Sequence, residues 1–146
     1  MYKLLAWDEY FLEIARIVAT RSKCLRKHYG CVIANPDHVQ KSAGFNGTAF
    51  GVPDCKEKFG ECLKDMYNVP HGENTDVCRG IHAEENAMLF AGRDVTKGCT
   101  MYIYGKNPVP CKKCKMRILQ IGITTVIGFD GEKVTKFNPM EWINEL

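Results

Sequence analysis

The stretch 79–93, RGIHAEENAMLFAGR, places His82 and Glu84 at the start of a segment that otherwise has the composition of a buried helix. Gly92 follows the last apolar residues, and glycine is common just past a helix C-terminus. The pattern therefore predicts a helix that begins near His82 and ends at Gly92. Because side chains two positions apart on a helix point in different directions, His82 and Glu84 cannot face one neighbour in the same way. The pair indicates a site that another part of the chain completes.

Pro110–Cys114, PCKKC, opens a second predicted helix. The segment 99–105, CTMYIYG, separates the two helices and is rich in residues that favour strands. Two cysteines three residues apart on a first helical turn can bind one metal ion, and a histidine at a facing helix start can supply a third ligand. Three protein ligands leave one tetrahedral position of zinc open to water. The predicted zinc ligands are His82, Cys111 and Cys114.

Each half of this pattern has other interpretations. Cys-x-x-Cys alone is equally typical of a structural zinc half-site, a redox pair or two buried thiols. The combination, with both motifs at helix starts, resembles the His-x-Glu and Pro-Cys-x-x-Cys signature of zinc-dependent nucleobase deaminases. In such a site the open metal position holds a water whose pKa falls towards about 7. Glu84 can then take up the proton of that water, and we predict it as the catalytic residue.

The rest of the chain supplies the elements of a mixed sheet. Apolar residues at three- and four-residue spacing predict an amphipathic helix over 7–22. The turn NPDH separates strands predicted near 31–35 and 39–46, and TTVIGF predicts a further strand after a helix that ends at Gly122. A short helix is expected after Asn138-Pro139. This order of elements predicts an α/β fold, a three-layer α/β/α sandwich with a mixed sheet of about five strands, as one domain over residues 1–146.

The composition favours a cytoplasmic protein and argues against several other classes. The chain has 146 residues, 45% of them apolar, and a net charge of +3. That excess is too small to indicate stable binding to nucleic acid. Acidic residues interrupt the apolar N-terminal segment, which therefore matches neither a signal peptide nor a membrane span. We expect no membrane partner, and we expect the eight cysteines to be metal ligands or buried thiols, because a reducing compartment disfavours disulfides.

Almost the whole sequence resembles the cytidine and deoxycytidylate deaminase superfamily, and within it the deoxycytidylate (dCMP) deaminases. The motifs that carry the resemblance occur in the family's order: RSKC, YGCVIAN, SAGFNGT, IHAEENAMLFA, MYIY, PCKKC and IGITTVIGF. The resemblance implies a cytidine deaminase-like fold and a hydrolase that converts dCMP to dUMP and ammonia, a step in dTTP synthesis. It also implies zinc on the three ligands named above, Glu84 as proton shuttle, and the backbone at Ala83 as reader of the base edge.

The resemblance also assigns residues to the sugar and phosphate of the nucleotide. Asn46, in GFNG, matches the family's sugar-binding asparagine; the alternative is a turn asparagine with left-handed backbone beside Gly47. Similar residues recur in the family at the end of the first helix, and the alternative there is a solvated charged surface. The candidates for phosphate binding are Ser22, Lys23 and Arg26.

Some members of the family carry a second, structural zinc ion. Its ligands here would be Cys24, Cys55, His71 and Cys78. Segment 48–80 shows no sustained period, and a metal would offset part of the entropy cost of ordering so long a loop. The alternative is isolated thiols and a surface histidine. On the first interpretation the protein binds about two zinc ions per chain.

Members of the family are commonly hexamers that dCTP with Mg²⁺ activates and dTTP inhibits, so the resemblance implies a homo-oligomer with nucleotide effectors. Without the resemblance, Phe90 would be a core residue and Arg93 a helix C-terminal charge. The sequence departs from the family in two places. GKNPVP is longer than the matching loop, which concerns the pocket rim. GTAFG lacks the proline and basic residue that often follow the turn, which concerns this regulation. The positions that match regulatory contacts are Phe45, Gly47, Phe90 and Arg93.

Two rival functions are considered. A deaminase of tRNA or single-stranded nucleic acid shares the zinc centre but needs an extended basic surface with exposed aromatic residues. A non-catalytic zinc-binding module would close its metal with a fourth protein ligand. The modest net charge argues against the first, and the open metal position together with Glu84 argues against the second.

Overall fold

The structure is a computed structural model that describes residues 3–71 and 76–146. Its elements are, in chain order, α1 (Trp7–Ala19), β1 (Gly30–Ala34), β2 (Gln40–Phe45), α2 (Cys55–Phe59), α3 (Leu63–Met66), α4 (Ala83–Ala91), α5 (Arg93–Thr96), β3 (Thr100–Tyr104), α6 (Lys112–Gln120), β4 (Thr125–Phe129), β5 (Val134–Phe137) and a 3-10 helix (Pro139–Trp142). No helix among the described residues is long and apolar enough to span a membrane.

The five strands form one mixed sheet in the order β2-β1-β3-β4-β5. Strands β3 and β4 are parallel, and the other neighbours are antiparallel. Side chains of β1 alternate between the two faces: Cys31 and Ile33 pack with α4 and α6, while Val32 and Ala34 pack with α1. Helices therefore cover both faces of the sheet. The predicted three-layer α/β/α sandwich with a mixed sheet is confirmed.

The long predicted elements agree with the structure, and the short ones account for the differences. The hairpin strands lie within a residue of their predicted bounds, whereas α1 ends at Ala19 and not at 22. Sequence analysis missed β5 and three short helices, α2, α3 and α5. Elements of four or five residues are too short to show a helical or alternating period. The start of α2 is stabilised locally, because its N-cap residue Asp54 accepts a hydrogen bond from the backbone nitrogen of Glu57.

Helix α4 lies unusually close to strand β2 because residue 44 is glycine. A Cβ atom on Gly44 would lie 2.5 Å from the backbone nitrogen of Ala87 and 2.8 Å from the carbonyl oxygen of Ala83. Two hydrogen bonds hold the helix at this distance: Ser42 Oγ donates to Ala87 O at 2.7 Å, and Asn86 Nδ2 donates to Phe45 O at 2.8 Å. The start of α4 is therefore fixed on the sheet by backbone contacts.

Gly44→Ala should destabilise the fold by about 1–3 kcal/mol or more, because the added methyl group would push α4 off the sheet. Chemical denaturation measures the free energy of unfolding. Gly47→Ala is the matched control: no atom lies within 4 Å of the added Cβ, so its effect should stay within about 1 kcal/mol. Equal stability of the two variants would contradict this account of the helix position.

Candidate metal centre and active site

The two helices that carry the predicted zinc ligands begin at the same edge of the sheet. Strands β2 and β3 both pair with β1, and Phe45 and Tyr104, at their ends, both lie opposite Gly30. The chain reaches α4 beyond the end of β2 and enters α6 after β3. His82 is the N-cap residue of α4 and Cys111 is the N-cap residue of α6, each with extended backbone. Their side chains can therefore meet in front of the helix starts.

His82, Cys111 and Cys114 converge at distances that suit one zinc ion. The Nδ1 atom of His82 lies 3.6 Å from the sulfur of Cys111 and 3.4 Å from the sulfur of Cys114. A tetrahedral zinc with Zn–N of about 2.0 Å and Zn–S of about 2.3 Å needs a nitrogen–sulfur separation of about 3.5 Å. Among the described residues, these form the one cluster of three or more possible metal ligands. The residues present therefore fit zinc with one position left for another molecule.

The pKa values of the two thiols of the cluster are shifted in opposite directions. Hydrogen bonds from Cys114 and His82 lower the pKa of Cys111 from 9.0 to about 3. The hydrogen bond to Cys111 and burial raise the pKa of Cys114 above its usual value. Thiolate is the form of cysteine that binds a metal. The arrangement thus favours the thiolate form at Cys111, beside the sulfur of Cys114, which is held by hydrogen bonding.

Glu84 is buried next to the cluster. Only 6% of the residue is exposed, and its carboxyl group contacts Cys114. Burial raises the pKa of Glu84, while a hydrogen bond from its own backbone and the charge of His82 partly oppose this shift. A carboxyl group with a raised pKa can both hold and release a proton nearer neutral pH. The structure therefore places a possible proton carrier within the predicted metal site.

A cavity of about 170 Å³ opens on the predicted ligands. Its lining includes His82, Cys111, Glu85, Lys113 and Arg117. Sequence analysis missed the last three of these residues as part of the site. The sequence contains a signal for Glu85 and Arg117. They have opposite charges, each stands three positions after a predicted ligand, and residues three apart share a helix face.

Asn46 joins the end of β2 to the segment before β1. Its Oδ1 accepts a hydrogen bond from the backbone of Tyr29 at 2.8 Å, and its Nδ2 donates to Lys27 O at 3.0 Å. Neither Asn46 nor Gly47 has left-handed backbone, so the alternative interpretation as a left-handed turn residue is wrong. Each amide atom can make one further hydrogen bond. The sugar-binding role stays a prediction.

The three phosphate candidates all have partners elsewhere, and none lines the cavity at His82. The hydroxyl of Ser22 donates to Lys27 O and accepts from the backbone of Cys24. The amine of Lys23 lies 3.7 Å from Glu57 on the surface. These contacts anchor the chain after α1, and the proposed phosphate role has no geometric support from them.

Arg26 is the most strongly engaged of the three. Its side chain is only 7% exposed and pairs with Asp65 at 2.6 Å. It also donates to Val69 O at 2.6 Å. Arg26 thereby fastens the α3 region of the long loop to the chain that leads into β1. This long-range role is one that a local run of charges does not reveal.

Arg26→Ala should therefore reduce stability by about 1–3 kcal/mol, because it leaves Asp65 and the Val69 carbonyl without this donor. Lys23→Ala, the matched control, removes an exposed pair and should cost less than about 1 kcal/mol. Hydrogen exchange of residues 63–69 and denaturant unfolding report the effect. An Arg26→Ala protein of unchanged stability that binds dCMP more weakly would reverse the conclusion in favour of a phosphate contact.

The structure does not bring the four predicted ligands of the second zinc ion together. Cys24 lines a separate cavity beside α2, whereas Cys78 lines the cavity at His82. His71 is exposed, and Cys55 is the first residue of α2. The described part of the chain contains no second cluster of three such ligands. The second zinc ion stays a prediction without geometric support.

Cys114→Ser should lose the zinc ion held by the cluster, because it removes one of three ligands. Elemental analysis measures the zinc content of the purified protein. Cys99→Ser is the control, since Cys99 is buried outside the cluster and its thiol donates to Val95 O, as a hydroxyl can. If Cys114→Ser loses about one zinc ion per chain and still retains zinc, the retained ion would occupy the second predicted site. A content equal to wild type would contradict the ligand assignment.

The positions predicted for regulation lie on or near the surface of the chain. Phe90 is 58% exposed and its ring faces that of Phe50, so the alternative that Phe90 is a core residue is wrong. Arg93 donates to the carbonyl of Gln120 at the end of α6. Gly47 pairs with Ile81 through two backbone hydrogen bonds. Phe45 is also exposed, and the regulatory roles stay predictions.

A mixed sheet with a histidine and two cysteines meeting at two helix starts is typical of a class of zinc-binding proteins. A family model described as the cytidine and deoxycytidylate deaminase zinc-binding region matches residues 5–129. The chain is a member of this cytidine and deoxycytidylate deaminase family, as the sequence motifs predict.

Relatives and solved structures agree with this assignment. The chain is 37% identical over 123 residues to a deoxycytidylate deaminase of Schizosaccharomyces pombe, covering 84% of this chain and 36% of that protein. It is 33% identical over 124 residues to the deoxycytidylate deaminase of Mycobacterium phage D29, covering 83% and 92%. The chain thus spans little more than a third of the yeast relative. The dCMP deaminase of cyanophage S-TIM5, solved with dCMP and dUMP, shares the fold with a TM-score of 0.64 at 20% identity, over 87% and 83% of the two chains.

Proposed function

We propose that this protein catalyses the zinc-dependent hydrolytic deamination of dCMP to dUMP and ammonia. The observation that carries the proposal is the convergence of His82, Cys111 and Cys114 at zinc-binding distances beside the buried carboxyl group of Glu84. The proposal is supported by relatives that bear the name deoxycytidylate deaminase at 37% identity. The product dUMP would serve as a precursor of dTTP.

The three ligands would hold zinc, which when bound supplies Lewis acidity that lowers the pKa of a water towards about 7. Glu84 would carry the protons of the reaction. It would take one from the attacking water and pass it to N3 of cytosine, and then take the second from the hydroxyl group now on C4 and pass it to the amine that leaves C4. The raised pKa of Glu84 suits both directions of transfer, because burial makes its charged form less stable. Burial also limits the access of other water to the reacting atoms.

Recognition of the nucleotide would use two positions near the cluster. Ala83 is buried in the first turn of α4, where backbone N–H groups have no partner within the helix. These groups are suited to the acceptor edge of a base. The remaining hydrogen-bonding capacity of Asn46 is suited to a sugar hydroxyl.

The rival functions fit the site less well. A structural zinc module would be expected to close the metal with a fourth ligand, and the cluster within the described residues contains three. A deaminase of nucleic acid needs an extended basic surface for a bound strand. The net charge of +3 favours a single nucleotide over a nucleic-acid strand as the substrate.

Regulation and assembly form the finer part of the proposal. We infer that the protein is a homo-oligomer, a hexamer, in the cytoplasm. We also infer that dCTP with Mg²⁺ activates the enzyme and that dTTP inhibits it. The exposed aromatic residues Phe45, Phe50 and Phe90 offer apolar area that contacts between subunits could cover. Adding each effector to the activity assay, with light scattering for mass, tests these points separately from the chemistry.

Wild-type protein should release ammonia from dCMP faster than from deoxycytidine, CMP or dCTP. Glu84→Gln should lower the rate by about 10²–10⁴-fold and keep its zinc, because the amide cannot carry the proton. Glu132→Gln, a change at an exposed loop residue, is the control and should retain full activity. Normal turnover by Glu84→Gln would refute the shuttle, and absence of ammonia from every cytosine compound would refute the function.

A further inference from the structure

Glu85 and Arg117 form an ion pair between the two helices that carry the predicted metal ligands. Arg117 Nη1 lies 3.1 Å from Glu85 Oε2. Glu85 stands three residues after His82 in α4, and Arg117 stands three residues after Cys114 in α6. Residues three apart lie on the same face of a helix. The ion pair therefore joins the two helices about one turn beyond the metal ligands.

The two oxygens of Glu85 have different partners. Oε1 accepts a hydrogen bond from the backbone nitrogen of His82 at 3.3 Å and lies 4.0 Å from His82 Nδ1. Oε2 is the atom that contacts Arg117. One carboxylate thus connects the backbone of the histidine ligand to the helix that carries both cysteine ligands. This is more than a helix cap, because a cap needs only the first of these contacts.

The pair adds a charged contact between two helices whose apolar residues share the core. Deep in the core, Ala87 of α4 and Ile118 of α6 pack in one cluster. Near the ligands, the helix starts border the cavity that Glu85 and Arg117 also line. Among the salt bridges of the described residues, this one joins α4 to α6. The His82–Glu85 contact lies within the start of α4, and the others lie elsewhere.

The charges of the pair also suit a centre with two thiolates. A carboxylate close to His82 would repel anionic sulfur if it stood alone. The guanidinium of Arg117 offsets that charge while it is within contact of Glu85. The side chain of Glu85 is 24% exposed and that of Arg117 is 50% exposed, so water screens the pair in part.

We propose that Glu85 and Arg117 are coupled positioning residues that hold His82 in register with Cys111 and Cys114 for zinc. This inference rests on the metal centre of the proposed function and requires nothing of its substrate. The role assigned to the pair is to position the metal ligands, not to contact the reacting atoms. Its effect is expected on zinc affinity, because partners that orient metal ligands typically change affinity by about 10–100-fold when they are removed.

The test is a double-mutant cycle read by zinc affinity, with a chelator as competitor, and by the visible spectrum of the Co²⁺-loaded protein. Glu85→Gln keeps an acceptor for the His82 backbone but loses the charge, and Arg117→Met removes the partner. Each single variant should bind zinc about tenfold more weakly or worse, and the double variant should be no weaker than the worse single. Arg117→Lys should restore part of the affinity. The Co²⁺ bands of both single variants should shift.

Glu145→Gln is the matched control. It breaks the 2.7 Å pair with Lys115, which also lies on α6 but does not line the cavity, and it should leave zinc affinity unchanged. Single variants within about twofold of wild type, or losses that simply add in the double variant, would overturn the inference. Because dCMP is absent from the assay, a protein inactive on dCMP can still show the coupling. Normal activity together with unchanged affinity in the variants would overturn this inference alone.

Discussion

The close contact between α4 and β2 is the constraint on which the site depends. With no side chain at Gly44, the backbone of the helix can rest directly on the strand, where Ser42 and Asn86 then bond across the interface. That contact fixes the helix start at the end of β2. It also buries Glu84, since a helix held further out would leave its first turn open to water. Burial of a carboxyl group is costly in itself, and the backbone contacts offset this cost.

The topology of the sheet brings the second helix start to the same place. Strands β2 and β3 run in the same direction on either side of β1 and end at one level. Helix α6 follows β3 at that edge, and the backbone pair between Gly47 and Ile81 returns the chain to it before α4. The imidazole of His82 and the sulfurs of Cys111 and Cys114 consequently meet although 29 and 32 residues separate them. The ligand set is a product of the connection order as much as of the motifs.

The sequence alone predicts the parts of this arrangement that are set by local signals. The turn at Asn35-Pro36 defines the hairpin, and motifs at two helix starts identify the metal cluster. Short elements such as β5 leave too few residues for a period to be visible. The role of Arg26 could not be predicted, because its partner Asp65 lies 39 residues away in a helix too short to show a period. The Glu85–Arg117 pair has a local signal in its spacing from the ligands, but the contact itself depends on how the two helices meet after folding.

The choice of ring nitrogen at His82 has a consequence for the tautomer of this side chain. The atom that meets the sulfurs is Nδ1. A neutral imidazole that coordinates through Nδ1 must carry its single proton on Nε2, the less crowded nitrogen of the ring. The metal would draw electron density from the ring and make that N–H a better donor. The far edge of the imidazole would then be a fixed, directional hydrogen-bond donor rather than a group that exchanges between two protonation patterns.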